Sequence, residues 1–125
     1  MKQDIHWKNR SDAEDFEAAA NFLSLILGKR ECKKLMGALR KAETIELAAK
    51  DLLRASQLPI LPREEPHVDS DIKKIHKGKP LSPVLLVRGN RTKGVPLTIA
   101  DGYHRICAIY YYNEDAPIRC QMVGG

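Results

Sequence analysis

Three cysteines in 125 residues, none in a Cys-x-x-Cys pair, give this chain little material for a disulfide framework. Cys32, Cys107 and Cys120 are odd in number, and with His6, His67, His76 and His104 they form no zinc-ligand spacing. The sequence therefore predicts reduced thiols and no metal site. Long apolar runs are also missing. The longest, around "FLSLILG", falls far short of the roughly 20 residues of a membrane span, and "MKQDIHWKNRSDAEDFE" lacks the apolar core of a signal peptide. A cytoplasmic protein is expected, with no membrane partner. Acidic residues vanish between Lys73 and Lys93, where Lys73, Lys74, Lys77, Lys79, Arg88, Arg91 and Lys93 stand uncompensated.

That gap shapes the charge distribution. Residues 66–125 hold nine Lys or Arg against five Asp or Glu, whereas residues 1–65 are nearly balanced at twelve against eleven. A basic stretch of this kind attracts phosphate-bearing partners; its plainer explanation is a solvated surface. The length fits one domain, able to bury roughly two-thirds of its unfolded surface without metal or disulfide.

What is present reads as helices first and strands later. Ser11 with Glu14 has capping-box spacing, and Asp12 and Asp15 place negative charge in a first turn. Phe16, Ala20, Leu23 and Leu27 continue the helical period as far as Gly28. A second helix spans about 31–40, with Cys32, Leu35, Met36 and Leu39 on one face. The segment "AETIELAAKDLLRASQLPILP" fits a helix or a strand entering a short helical turn, closed either way by Pro59 and Pro62. A further helix is predicted with Asp69 or Ser70 as cap and Gly78 with Pro80 as stop. Then the period changes: strand "SPVLLVRG", turn "GNRTKG", antiparallel strand "VPLTIA", helix "GYHRICAIYYYN" and strand "PIRCQMV". The expected fold is α+β, a small mixed sheet with packed helices. Residues 1–44 are expected to be a helical segment packed on the core, covering the sheet or docking a protein partner. Residues 45–125 form the domain proper.

The chemistry concentrates in "ADGYHRI". Amides in a helix's first turn have no intrahelical partner and point outward with the positive end of the dipole behind them. Gly102 lets an anion approach the main chain, Tyr103 to Arg105 supply amides, and Arg105 offers a fork for phosphate. His104 is a further donor or a proton carrier. Asp101 is out of place beside an anion, and helix capping is its plainer role. "KKIHKGKP" is the second candidate, where His76, Lys77 and Lys79 would meet Arg105 across one pocket; a solvated helix end is the equal alternative. Tyr110, Tyr111 and Tyr112 point in three directions on a helix and suit core and rim packing better than base stacking.

From about Lys50 onward this order of elements, with Gly102 and Arg105 in a Gly-x-x-Arg turn, resembles the ParB/sulfiredoxin superfamily. The resemblance implies that the helix opening at Tyr103 holds nucleotide phosphates, with His104 and Arg105 matching the His-Arg of the sulfiredoxin branch. Two departures narrow it. Tyr103 stands where sulfiredoxins have their cysteine, and Cys107, one turn on, is expected to face the core. The sequence as given also ends about one strand after the motif, before the further regions of ParB partition proteins. The expected function is binding of a nucleotide or other phosphorylated small molecule at "DGYHR". Asp101 and His104 are the candidates for hydrolysis or transfer of phosphate, and Gly102, Tyr103, His104 and Arg105 for binding. No cofactor is named by the sequence; magnesium is the expected helper if phosphate is transferred. The alternative is a non-enzymatic adaptor or nucleic-acid-associated module using the basic 73–93 surface. A third reading pairs Arg105 with an acid such as Glu64 or Asp101 and makes the turn structural.

Overall fold

The structure, a computed structural model, describes residues 4–124. Its elements run α1 (Ala13–Leu23), α2 (Lys29–Lys41), β1 (Thr44–Ala48), α3 (Ala49–Ser56), α4 (Pro66–His76), β2 (Val84–Val87), β3 (Thr98–Asp101), α5 (Tyr103–Tyr112) and β4 (Pro117–Val123). The strands form one mixed sheet in the order β1-β4-β2-β3. β4 is antiparallel to β1 and parallel to β2, while β2 and β3 form an antiparallel hairpin. The fold is α+β, as the change of period in the sequence requires. No helix among the described residues is long and apolar enough to cross a membrane.

Alternation along β2 divides the core in two. Val84 and Leu86 join Ile106, Ile109, Ile72 and Ile75 under α3, α4 and α5. Leu85 and Val87 turn to the other face, where Ala19, Leu23, Cys32, Met36 and Leu39 of α1 and α2 cover them. All four residues of β2 are buried because helices lie on both faces. The amino-terminal helices are tied down by polar bonds as well. Fully buried Gln121 on β4 accepts the Ser11 amide at 3.0 Å and donates to the carbonyls of Leu39 and Ala42 at 3.1 and 3.2 Å. Phe22, Leu25 and Ile26, around the end of α1, remain exposed.

Three local expectations change. The capping box at Ser11 does not form, since the Ser11 hydroxyl donates to the buried Pro83 carbonyl at 2.7 Å. That carbonyl has little access to water, and satisfying it outweighs an optional cap. α1 also ends at Leu23, five residues before Gly28. Short-range bonds from Leu25 and Ile26 to Phe22 and Leu23 tighten the chain there. α4 starts earlier than Asp69 or Ser70 indicated: Pro66 takes the first helical position, where its missing N–H costs nothing, and Glu65 caps it by accepting the Val68 amide at 2.9 Å. The ambiguous segment resolves into strand β1 followed by α3, because Thr44–Ala48 pairs along β4.

Candidate functional site

The turn between β3 and α5 is set by the sheet beneath it. Where β2 advances from Leu86 to Leu85, β3 advances from Ile99 to Asp101, a bulge that re-aims the end of the strand. Gly102 follows with φ of 108°, and α5 begins at Tyr103. A Cβ on Gly102 would lie 2.5 Å from Val84 Cγ1 and 2.9 Å from Arg105 Nη2. Packing of this turn against β2 and Arg105 therefore requires glycine, whatever ligand approaches.

Arg105 does not extend a free fork. Its Nη2 donates to Asp101 Oδ2 at 2.9 Å and lies 3.7 Å from Asp15 Oδ2 on α1. All three side chains are under one-fifth exposed. Asp101 is thus a partner of Arg105 and not the cap of α5, whose amino end has no side-chain cap bond. Two carboxylates share one guanidinium. Burial pushes the Asp101 carboxyl above its usual range, Arg105 opposes that shift, and the Asp15 charge adds to it. Among the described residues, the buried Arg105 Nε and Asp15 Oδ2 have no hydrogen-bond partner. Asp15 was legible in the sequence only as first-turn charge, and nothing local tied it to Arg105, 90 positions away. Glu64, the other acid considered for Arg105, is exposed.

A cavity of about 240 Å³ opens in front of this turn. Asp101, Gly102, His104 and Arg105 form one wall; His67, Ser70, Asp71 and Lys74 form the other. The second set recurs every three or four residues, which places it on one face of α4. Lys74 lies 3.7 Å from Asp71, whose carboxyl is pushed up by burial against the pull of Lys74 and Arg105.

His76, Lys77 and Lys79 are not brought to the cavity. α4 and α5 lie side by side with their starts together: the rings of His67 and His104 are 4.8 Å apart, while His76 meets Tyr112 at 5.8 Å at the other end. Nine residues of helix, roughly 14 Å of rise, separate His76 from His67. The residues that replace them, His67 and Lys74, were present in the same segment but on a face that only the packing of α4 identifies. Tyr103 also points elsewhere, its hydroxyl donating to the Pro59 carbonyl, and Tyr111 donates to Leu61 at 2.6 Å. The two tyrosines pin the loop that carries the chain into α4. Cys107 is buried with its thiol pushed up by burial, and Cys120 is pushed up to about 12 for the same reason.

The basic stretch does not form one continuous strip. Residues 81–87 are buried, so β2 interrupts it between Lys79 and Arg88. Lys73 is paired to Asp69 at 2.9 Å. Arg88 and Arg91 line a separate cavity beside α3.

A feature the sequence spacing did not announce lies at the mouth of the site. Glu65, His67 and His104 place their donor atoms within 4.8 Å of one another. Glu65 Oε1 is 3.0 Å from His67 Nδ1, and Oε2 is 3.7 Å from His104 Nε2. Partial burial opposes the Glu65 charge, but hydrogen bonds from His67 and the Val68 amide and the neighbouring His104 hold its carboxyl down at about 2. Comparison with family models, with curated proteins and with solved structures returns no match.

Proposed function

We propose that this chain is a ParB/sulfiredoxin-like domain whose cavity at the start of α5 binds the phosphate end of a small molecule, a nucleotide in the first instance. One observation carries the reading. Lys74, His67, His104 and the first turn of α5, whose amides have no intrahelical partner, converge on the same cavity. At about 240 Å³ the cavity suits a phosphate or diphosphate group and leaves the rest of the ligand outside. The chain's own residues divide the work by position. The α5 amides and Lys74 hold the anion, and His104, nearly half exposed, stands where it can exchange a proton with it. Arg105, already engaged by Asp101, braces the turn from beneath.

A second reading is favoured by that same engagement. With Arg105 held by Asp101 and Asp15, and Gly102 required by Val84, these residues of the turn have structural roles without any ligand. A thermal-shift screen against nucleoside di- and triphosphates, with and without magnesium, decides between them. A ligand at a hundred times its dissociation constant stabilises the native state by about 2.7 kcal/mol, which for this size is a rise of roughly 10 °C in Tm. The phosphate reading expects such a rise for at least one ligand, and at least tenfold weaker binding in Lys74→Ala. No rise with any of them leaves the structural reading.

A further inference from the structure

We propose that Glu65, His67 and His104 form a binding site for a divalent transition-metal ion of the zinc class. Two imidazoles and one carboxylate are a donor set suited to such an ion, whereas magnesium and calcium prefer oxygen alone. Donors around a tetrahedral zinc stand roughly 3.4 Å apart. Each Glu65 oxygen has one imidazole nitrogen beside it, at 3.0 and 3.7 Å, and one donor atom from each of the three residues lies within 4.8 Å of the others. His67, about three-quarters exposed, has room to adjust its ring toward the other two donors.

The scaffold fixes the other two donors. Glu65 is held by the Val68 amide as the cap of α4, the kind of outer bond that orients a metal-ligating carboxylate. His104 sits on the first turn of α5, which packs closely along α4. Three protein donors leave at least one coordination position for water or a ligand. His67 and His104 both line the cavity in front of Gly102, so that position opens into it. Asp71 and Asp101, on the two opposite walls of that cavity, place further carboxyl groups beside it. Binding of the metal alone does not depend on the phosphate reading.

The test titrates the full chain, free of any polyhistidine tag, with Co²⁺ followed by visible absorption, then competes the cobalt with Zn²⁺. The expected result is one ion per chain, with affinity falling at least tenfold in His67→Ala and in His104→Ala and unchanged in His76→Ala. His67 is exposed, so its truncation leaves the metal-free melting temperature in place and separates ligand loss from unfolding. The absence of saturable binding up to millimolar metal would overturn the proposal. So would binding that survives both substitutions unchanged. A negative nucleotide screen leaves it standing, and a positive one does not replace it.

Discussion

Arg105→Ala is the perturbation that most directly probes the buried charge cluster. In the folded chain Arg105 lies between Asp101 at 2.9 Å and Asp15 at 3.7 Å, all three less than one-fifth exposed. Removing one partner of a buried ion pair costs about 3–5 kcal/mol, because the remaining charge stays desolvated. Residual exposure of these groups lowers the expectation to about 2–4 kcal/mol. For 125 residues the unfolding entropy is about 0.26 kcal/mol/K, so Tm should fall by roughly 8–15 °C. The loss has a pH signature. Asp101 titrates above its usual range in the native state, so folding takes up a proton and stability falls as pH rises from about 4 through the native value. Arg105 is the group that restrains this shift, and without it the cost at neutral pH grows. As pH falls the carboxyl takes up its proton in either protein, and the difference shrinks. Urea unfolding of both proteins at pH 7.5 and pH 4.5 measures this directly. Adding Asp15→Asn to the variant should recover on the order of 1 kcal/mol at pH 7.5 by removing a facing negative charge. A loss below about 1 kcal/mol at neutral pH, or a loss that grows as pH falls, would refute the shared-arginine account.

Two further outcomes follow from the same packing. Gly102→Ala forces a side chain into positive φ against Val84, and a stability loss of about 1–3 kcal/mol is expected in urea unfolding; an unperturbed variant would mean the turn is looser than its geometry. Gln121→Leu strands the buried Ser11 amide, at about 1–3 kcal/mol, and takes one of two donors from the Leu39 and Ala42 carbonyls, which keep the Ala42 amide and Arg10. Because these bonds join the amino-terminal helices to β4, hydrogen exchange should rise first in α1 and α2. Uniform exchange across the chain would place the role of Gln121 elsewhere.

The nature of each region was legible in the sequence wherever local chemistry decides it. Gly78 and the prolines punctuate the chain, and the change from a helical period to short apolar runs marks β2 and β3; Gly28, expected to stop α1, instead precedes α2. Cys107 is buried as its place on the α5 face predicts, and the three cysteines are free thiols. Positions that serve a distant partner were not legible. Ser11 has the spacing of a cap but donates to Pro83, and Glu65 caps α4 where Asp69 or Ser70 had the better local pattern. In both, a buried polar group or a proline outweighed a local preference worth about 1 kcal/mol.

The composition of the candidate site divides in the same way. The sequence by itself determined the turn, because Gly102, His104 and Arg105 fall within four successive residues where a strand passes into a helix. Only the tertiary structure decided what faces that turn. It packed α4 with its start, not its end, beside the start of α5, which brought in His67, Asp71 and Lys74 and left His76, Lys77 and Lys79 about a helix length away. It also laid α1 over the sheet so that Asp15 reached Arg105. A residue's neighbours along a helix are fixed by the 3.6-residue turn, but its neighbours across an interface are chosen by which apolar faces bury each other. No spacing within one segment encodes that choice.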